Sequence, residues 1–235
     1  MPLDAIITTW SQPEVLVLAG LSLLLTVLWR VPILGWLLYP LRLLDTFVHE
    51  MSHGVAAIMT GGRFERFVVY PNREGLAHIR GGNRFVVVSA GYLGPALLGG
   101  ALILLSATDL AEQMILMGLG LGLALLCLRF VRNLFGMVAG LLLASSLIAA
   151  GWYLSPQPAS WLFLLLMMHL PLSAANSLVD LMRLSVRRSH REQRTDAEVL
   201  AEMTHLPALV WALFWFILAL IIMVVTVTVA WSAGA

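Results

Sequence analysis

Within the segment Asp45-Thr46-Phe47-Val48-His49-Glu50-Met51-Ser52-His53-Gly54, two histidines stand four residues apart and a glutamate follows the first. Successive residues of an α-helix turn by about 100°, so this spacing returns His53 to nearly the face of His49. Two imidazoles so placed can share one metal ion, with Glu50 beside it to accept a proton from the water that the metal activates. This is the H-E-x-x-H pattern of zinc hydrolases. Zinc polarises a peptide carbonyl as a Lewis acid and lowers the pKa of its water to about 7, which makes hydrolysis feasible near neutral pH. The competing reading is a pair of histidines hydrogen-bonded inside a helical bundle. The surroundings favour metal, because the motif interrupts an otherwise apolar run. Ionisable groups at mid-membrane cost about 2.5–3.5 kcal/mol each for Asp, Lys or Arg and mark function.

A catalytic zinc site takes three protein ligands and leaves one position open, so a third ligand must come from elsewhere at similar depth. Only Asp180, in "LPLSAANSLVDLMRL", is a carboxylate within a later apolar span. His53 lies roughly 12 Å along a helix from Gly61, and Asp180 just precedes Arg183, so both fall in the same half of the bilayer. Asp45, one turn before His49, suits an orienting hydrogen-bond acceptor or an N-cap better than a ligand. His169 reads as a packed polar residue toward the middle of its span. His190, Asp196 and His205 belong to or border a charged loop, where solvation is the default. Asn176, one turn before Asp180, suits orienting that carboxylate, binding substrate backbone, or an interhelical hydrogen bond.

The elements that must position these residues are membrane spans. The chain has 235 residues, 60% hydrophobic and 11% charged, against about 25% charged in soluble domains. We expect a single all-α polytopic membrane domain over residues 1–235. Apolar segments long enough to cross a bilayer fall at about 13–29, 41–60, 86–107, 114–128, 134–154, 160–182 and 207–231, seven in all. The first is read as a retained helix because no basic n-region precedes it. All 14 basic residues are arginine. Twelve of them (63, 66, 73, 80, 84, 129, 132, 183, 187, 188, 191 and 194) fall in loops that seven spans place on one side, leaving Arg30 and Arg42. By the positive-inside rule that side, including the charged loop at about 183–206, is cytoplasmic; the N-terminus is then inside and the C-terminus outside. The net charge of +1 gives no field that suggests a nucleic-acid partner. The single cysteine, Cys127, excludes an intrachain disulfide. The insert at about 61–85 places two short apolar runs around Pro71-Asn72-Arg73-Glu74-Gly75, which reads as a β-hairpin or a cytoplasmic loop. A hairpin must lie at the interface or line a wet cavity, since hydrocarbon leaves its edge groups unpaired.

The combination resembles the site-2 protease class of intramembrane zinc metalloproteases (peptidase M50). Within it, "FVHEMSHGVAAIMTGG", "RGGNRFVVVSAGYLG", "LRFVRNLFG", and "NSLVD" followed by "TDAEVLAEMTHLPALVWALFW" resemble the M50B-like branch. The likeness runs from Leu43 to about Trp215. It implies His49, His53 and Asp180 as ligands of Zn2+, Glu50 as general base, a transmembrane or membrane-adjacent protein substrate, and a setting in the bilayer of a bacterial plasma membrane. It also implies that the hairpin presents the substrate as an added strand, which suits a helix that must unwind before its peptide bonds are attacked. Two positions depart from the site-2 pattern: Ser52 replaces a glycine before the second histidine, and Val179-Asp180-Leu181 replaces a leucine-aspartate-glycine triplet. Two other function classes compete. A metal-binding, non-proteolytic scaffold or chaperone of the same fold has no need of Glu50, and a transporter would carry polar sites on several helices and repeat symmetry. Gly118, Gly120, Gly122, Gly136 and Gly140 permit close helix packing or a moving gate.

Overall fold

The computed structural model describes residues 36–186 and 195–234 with positions 20, 21, 24 and 28; for 173–186 and 233–234 it describes the backbone alone. The expected first span at about 13–29 therefore lies outside the described residues, apart from those four positions. Among the described residues the chain forms seven helices and one two-stranded antiparallel sheet. Four of the helices are long and apolar enough to cross a membrane: Arg84–Ser106, Glu112–Phe130, Leu134–Tyr153 and Ala208–Ser232.

Helix α1 (Tyr39–Met59) carries the histidines and has Pro40 in its first turn, where a missing N–H costs nothing. It stops at Thr60 because Gly61 takes φ +82°. The Gly62 amide then donates to Ala57 O (2.7 Å) and the Gly61 amide to Ile58 O (3.2 Å), the paired bonds of a Schellman cap. That cap turns the chain back along the helix it has just left. Strands β1 (Arg63–Val69) and β2 (Gly75–Arg80) follow, paired from Arg63↔Arg80 to Val69↔Gly75 with one irregularity between Phe64 and Arg66. The hairpin reading of the insert is thus correct. The hairpin tip reaches the first turns of α1, where Tyr39 Oη donates to Pro71 O (2.9 Å) and Thr46 Oγ1 to Arg73 O (3.0 Å). At its base a side chain on Gly62 would lie 2.6 Å from the Gly82 amide. The pairs Gly61-Gly62 and Gly81-Gly82 are therefore where the chain crosses itself backbone to backbone.

A hairpin packed this closely along a helix needs its buried backbone groups satisfied. On the β1 side, the Arg132 amide donates to Phe67 O (3.1 Å), and Asn133 brackets Val69, accepting from its amide (3.2 Å) and donating to its carbonyl (2.7 Å). Phe64, Phe67 and Val69 pack inward on Phe47, Cys127 and Val131. The 131–133 segment thus closes the β1 edge. In an antiparallel pair the residue opposite Phe67, Ala77, directs its own N–H and C=O to the other edge. That β2 edge faces α1, where the Ala77 amide donates toward Glu50.

Asn83 caps α2 (Arg84–Ser106), accepting from the Val86 amide at 3.2 Å. Helices α3 (Glu112–Phe130) and α4 (Leu134–Tyr153) form an antiparallel pair in close contact at Gly120, where a side chain would lie 2.6 Å from Ala144 O. Gly136 and Gly140 make similar close contacts, with Asn133 and with Cys127 and Phe47. Gly118 and Gly122 instead border an apolar recess, which Leu44, Val48 and Met51 line on α1. Helix α5 (Pro156–Val186) lies against α2, its Pro171 ring filling the space that Gly99 leaves. Residues 196–204, expected in a charged loop, instead form a short helix, α6 (Asp196–Thr204), before α7 (Ala208–Gly234). Its capping box is complete, with Thr195 Oγ1 accepting from the Glu198 amide and Glu198 reaching back to the Thr195 amide.

Candidate metal centre

His49 and His53 stand on the α1 face that meets α2, and their Nε2 atoms approach to 3.1 Å. His53 Nδ1 lies 2.7 Å from Val87 O, to which it donates. That bond fixes the ring and leaves the Nε2 lone pair for a cation, the arrangement usual around a metal-binding imidazole. Room for the two rings comes from one position on α2. A side chain on Gly91 would lie 2.5 Å from Cε1 and Nε2 of His53 and 2.6 Å from Cε1 of His49. The Tyr92 ring stands edge-on to His49 at 5.3 Å and stacks on Trp215 at 4.6 Å.

The third group is Asp196. Its Oδ2 lies 3.0 Å from His49 Nε2 and 3.3 Å from His53 Nε2. Burial alone raises this carboxyl; hydrogen bonds and charge from both histidines outweigh it and hold Asp196 below the usual carboxylate range. Two ligand atoms about 2.0–2.1 Å from a tetrahedral ion lie about 3.3–3.4 Å apart. The three separations here, 3.0, 3.1 and 3.3 Å, are close to that edge, and the donors are two imidazole nitrogens and a carboxylate oxygen. The residues fit a divalent metal. Solvation, the expected fate of Asp196, is therefore corrected: Ala197 and Leu200, fully buried against Val88 and Trp215, dock α6 so that its first residue meets the histidines. A signal for this was present in Thr195-Asp196-Ala197-Glu198, an S/T-x-x-E capping box that marks a helix start rather than a loop.

Glu50 is buried at 6% exposure and faces the β2 edge of the hairpin, with the Ala77 backbone amide donating toward its carboxylate. A side chain on Gly75 would lie 2.5 Å from Glu50 Oε1, so β2 passes the carboxylate without a Cβ in between. Asp45 is neither a ligand nor an N-cap. It accepts a hydrogen bond from His169 Nε2 of α5 at 2.9 Å, and His169 is, as expected, a packed polar residue, 1% exposed. Asn176 and Asp180 lie on the α5 helix, but their side chains fall outside the described residues.

Ser52, which departs from the site-2 pattern, is accommodated locally. Its hydroxyl donates to Val48 O (2.6 Å) and occupies the space that a side chain on Gly94 would need. Overpacking of this kind typically costs about 1–3 kcal/mol. Gly94→Ala should destabilise the protein by about that amount, and adding Ser52→Gly should restore most of the loss. Thermal denaturation of the two single variants and the double variant in detergent checks this; additive losses would show that the two positions do not share the space.

A family model described as Peptidase M50B-like matches residues 17–226. No curated protein and no solved structure matches the chain.

Proposed function

The chain belongs to the Peptidase M50B-like family, and on that premise we propose that it is an integral membrane zinc endopeptidase cleaving a peptide bond of a membrane-embedded or membrane-adjacent protein. The observation that carries this reading is the approach of two Nε2 atoms to 3.1 Å, one of them oriented by Val87 O, with carboxylates beside them. A divalent cation satisfies both lone pairs at once. Zinc suits two imidazoles and carboxylate oxygen, and when bound it supplies Lewis acidity and an acidified water.

The chain's own residues supply the rest. Glu50 takes the proton of the attacking water and returns it to the leaving amine. The β2 edge pairs with an extended stretch of substrate, which takes over the Ala77 amide that donates toward Glu50 at rest. That pairing holds the stretch beside Glu50, where Gly75 lets it approach. The seven-span topology, the cytoplasmic arginine-rich side and the bacterial plasma membrane belong to the same reading.

Asp180 is the third permanent ligand. Two contacts support it by depth. Pro171 packs on Gly99 of the antiparallel α2, and nine residues further along each helix, about 13.5 Å, Asp180 comes level with Ala90 and Gly91. His169 bonds Asp45 on α1, which runs parallel to α5; eleven residues further along each helix Asp180 comes level with Ala56, within about one turn of His53. Asp180→Ala should reduce bound zinc from about one per chain to a small fraction, measured by elemental analysis of folded protein. Retention of a full equivalent of zinc would remove Asp180 from the site.

A further inference from the structure

Asp196 reaches the histidines from a different kind of element. Helix α6 is nine residues long and carries Asp196 as its first residue. It is docked at both ends. Ala197 and Leu200 are fully buried among Val88, Ala212 and Trp215, and at the far end Trp211 Nε1 donates to Thr204 Oγ1 at 2.9 Å. A solvated loop would not hold one carboxylate oxygen within 3.3 Å of both imidazole nitrogens.

With His49, His53 and Asp180 as the permanent ligands, a reading on which this inference rests, Asp196 makes a fourth protein ligand. Hydrolytic zinc keeps one position open, whereas four protein ligands make the closed site of a structural zinc. The position that Asp196 fills is one that the water and the substrate carbonyl need. We propose that Asp196 is a displaceable ligand that holds the metal centre shut at rest, and that an entering substrate strand displaces it. The carboxylate is an internal competitor at high effective concentration, and removing it frees the position for exogenous ligands.

The test uses the full chain in detergent with Co2+ in place of zinc and acetohydroxamate as the exogenous ligand, followed by visible absorption. Asp196→Asn and Asp196→Ala both leave the Thr195–Glu198 capping box in place. Each should retain about one cobalt per chain and bind acetohydroxamate at least about tenfold more tightly than wild type. Loss of cobalt in both variants would make Asp196 an obligate ligand and overturn the proposal. So would hydroxamate affinity equal to that of wild type, since the position would then already be open. A wild-type protein that takes up no metal would instead sink the peptidase reading itself, an outcome distinct from either of these.

Discussion

Glu50→Gln protein should bind as much metal as wild type and lose peptide hydrolysis by about 10²–10⁴-fold, the range that a positioned general base contributes. The substitution keeps the shape of the side chain and removes its ability to hold a proton. The carboxylate is buried, receives the Ala77 amide and touches Gly75 of β2, so it stands between the histidines and the edge where substrate pairs. None of these contacts holds the cation. A scaffold that merely bound metal would tolerate the change, so the experiment separates the two function classes. Rates are measured on a transmembrane peptide that wild type cleaves in lipid vesicles, with metal content determined on the same samples. Undiminished cleavage by Glu50→Gln would remove Glu50 from the chemistry.

Gly91→Ala should act on the other half of the site, weakening metal binding by about 10–100-fold, the range seen when groups that orient a ligand are disturbed. The new methyl would lie 2.5 Å from two atoms of the His53 ring. That ring cannot swing away without breaking its 2.7 Å bond to Val87 O, which is carried by the same helix one turn earlier. His49 is crowded as well, at 2.6 Å, so neither imidazole can yield independently. Gly75→Ala is the matched contrast. Its methyl meets Glu50 Oε1 and not the imidazoles, so hydrolysis should fall while metal affinity stays at the wild-type level. Chelator competition on the two variants distinguishes the effects. Equal metal affinity in Gly91→Ala and wild type would mean that α2 does not set the ring positions.

What could be read from the residues, and what could not, divides by the range of the interaction. His49, Glu50 and His53 were legible because one helix fixes their relation, and the hairpin because Pro71-Asn72-Arg73-Glu74-Gly75 is a local turn signal. The four membrane-length helices among the described residues lie within two residues of their expected bounds: α3 runs Glu112–Phe130 where apolar residues suggested 114–128. Asp196 was not legible as a partner of the histidines, because it follows a run of charged residues in the sequence and only the docking of Ala197 and Leu200 carries it to them. The pairing of Asp45 with His169 joins residues 124 positions apart, and no local pattern announces it. The glycines sit between these cases. Gly120, Gly136 and Gly140 make the close contacts expected of them, whereas nothing local announced that the two imidazoles approach α2 at Gly91 and Ser52 at Gly94.

The central claim is that this helix face holds one metal ion, and elemental analysis of the purified wild-type chain tests it most directly. The account predicts about one zinc per chain, lost on His53→Ala substitution. Absence of bound metal in wild type after zinc is supplied would contradict it, and His49, Glu50 and His53 would then need a transport or purely structural explanation.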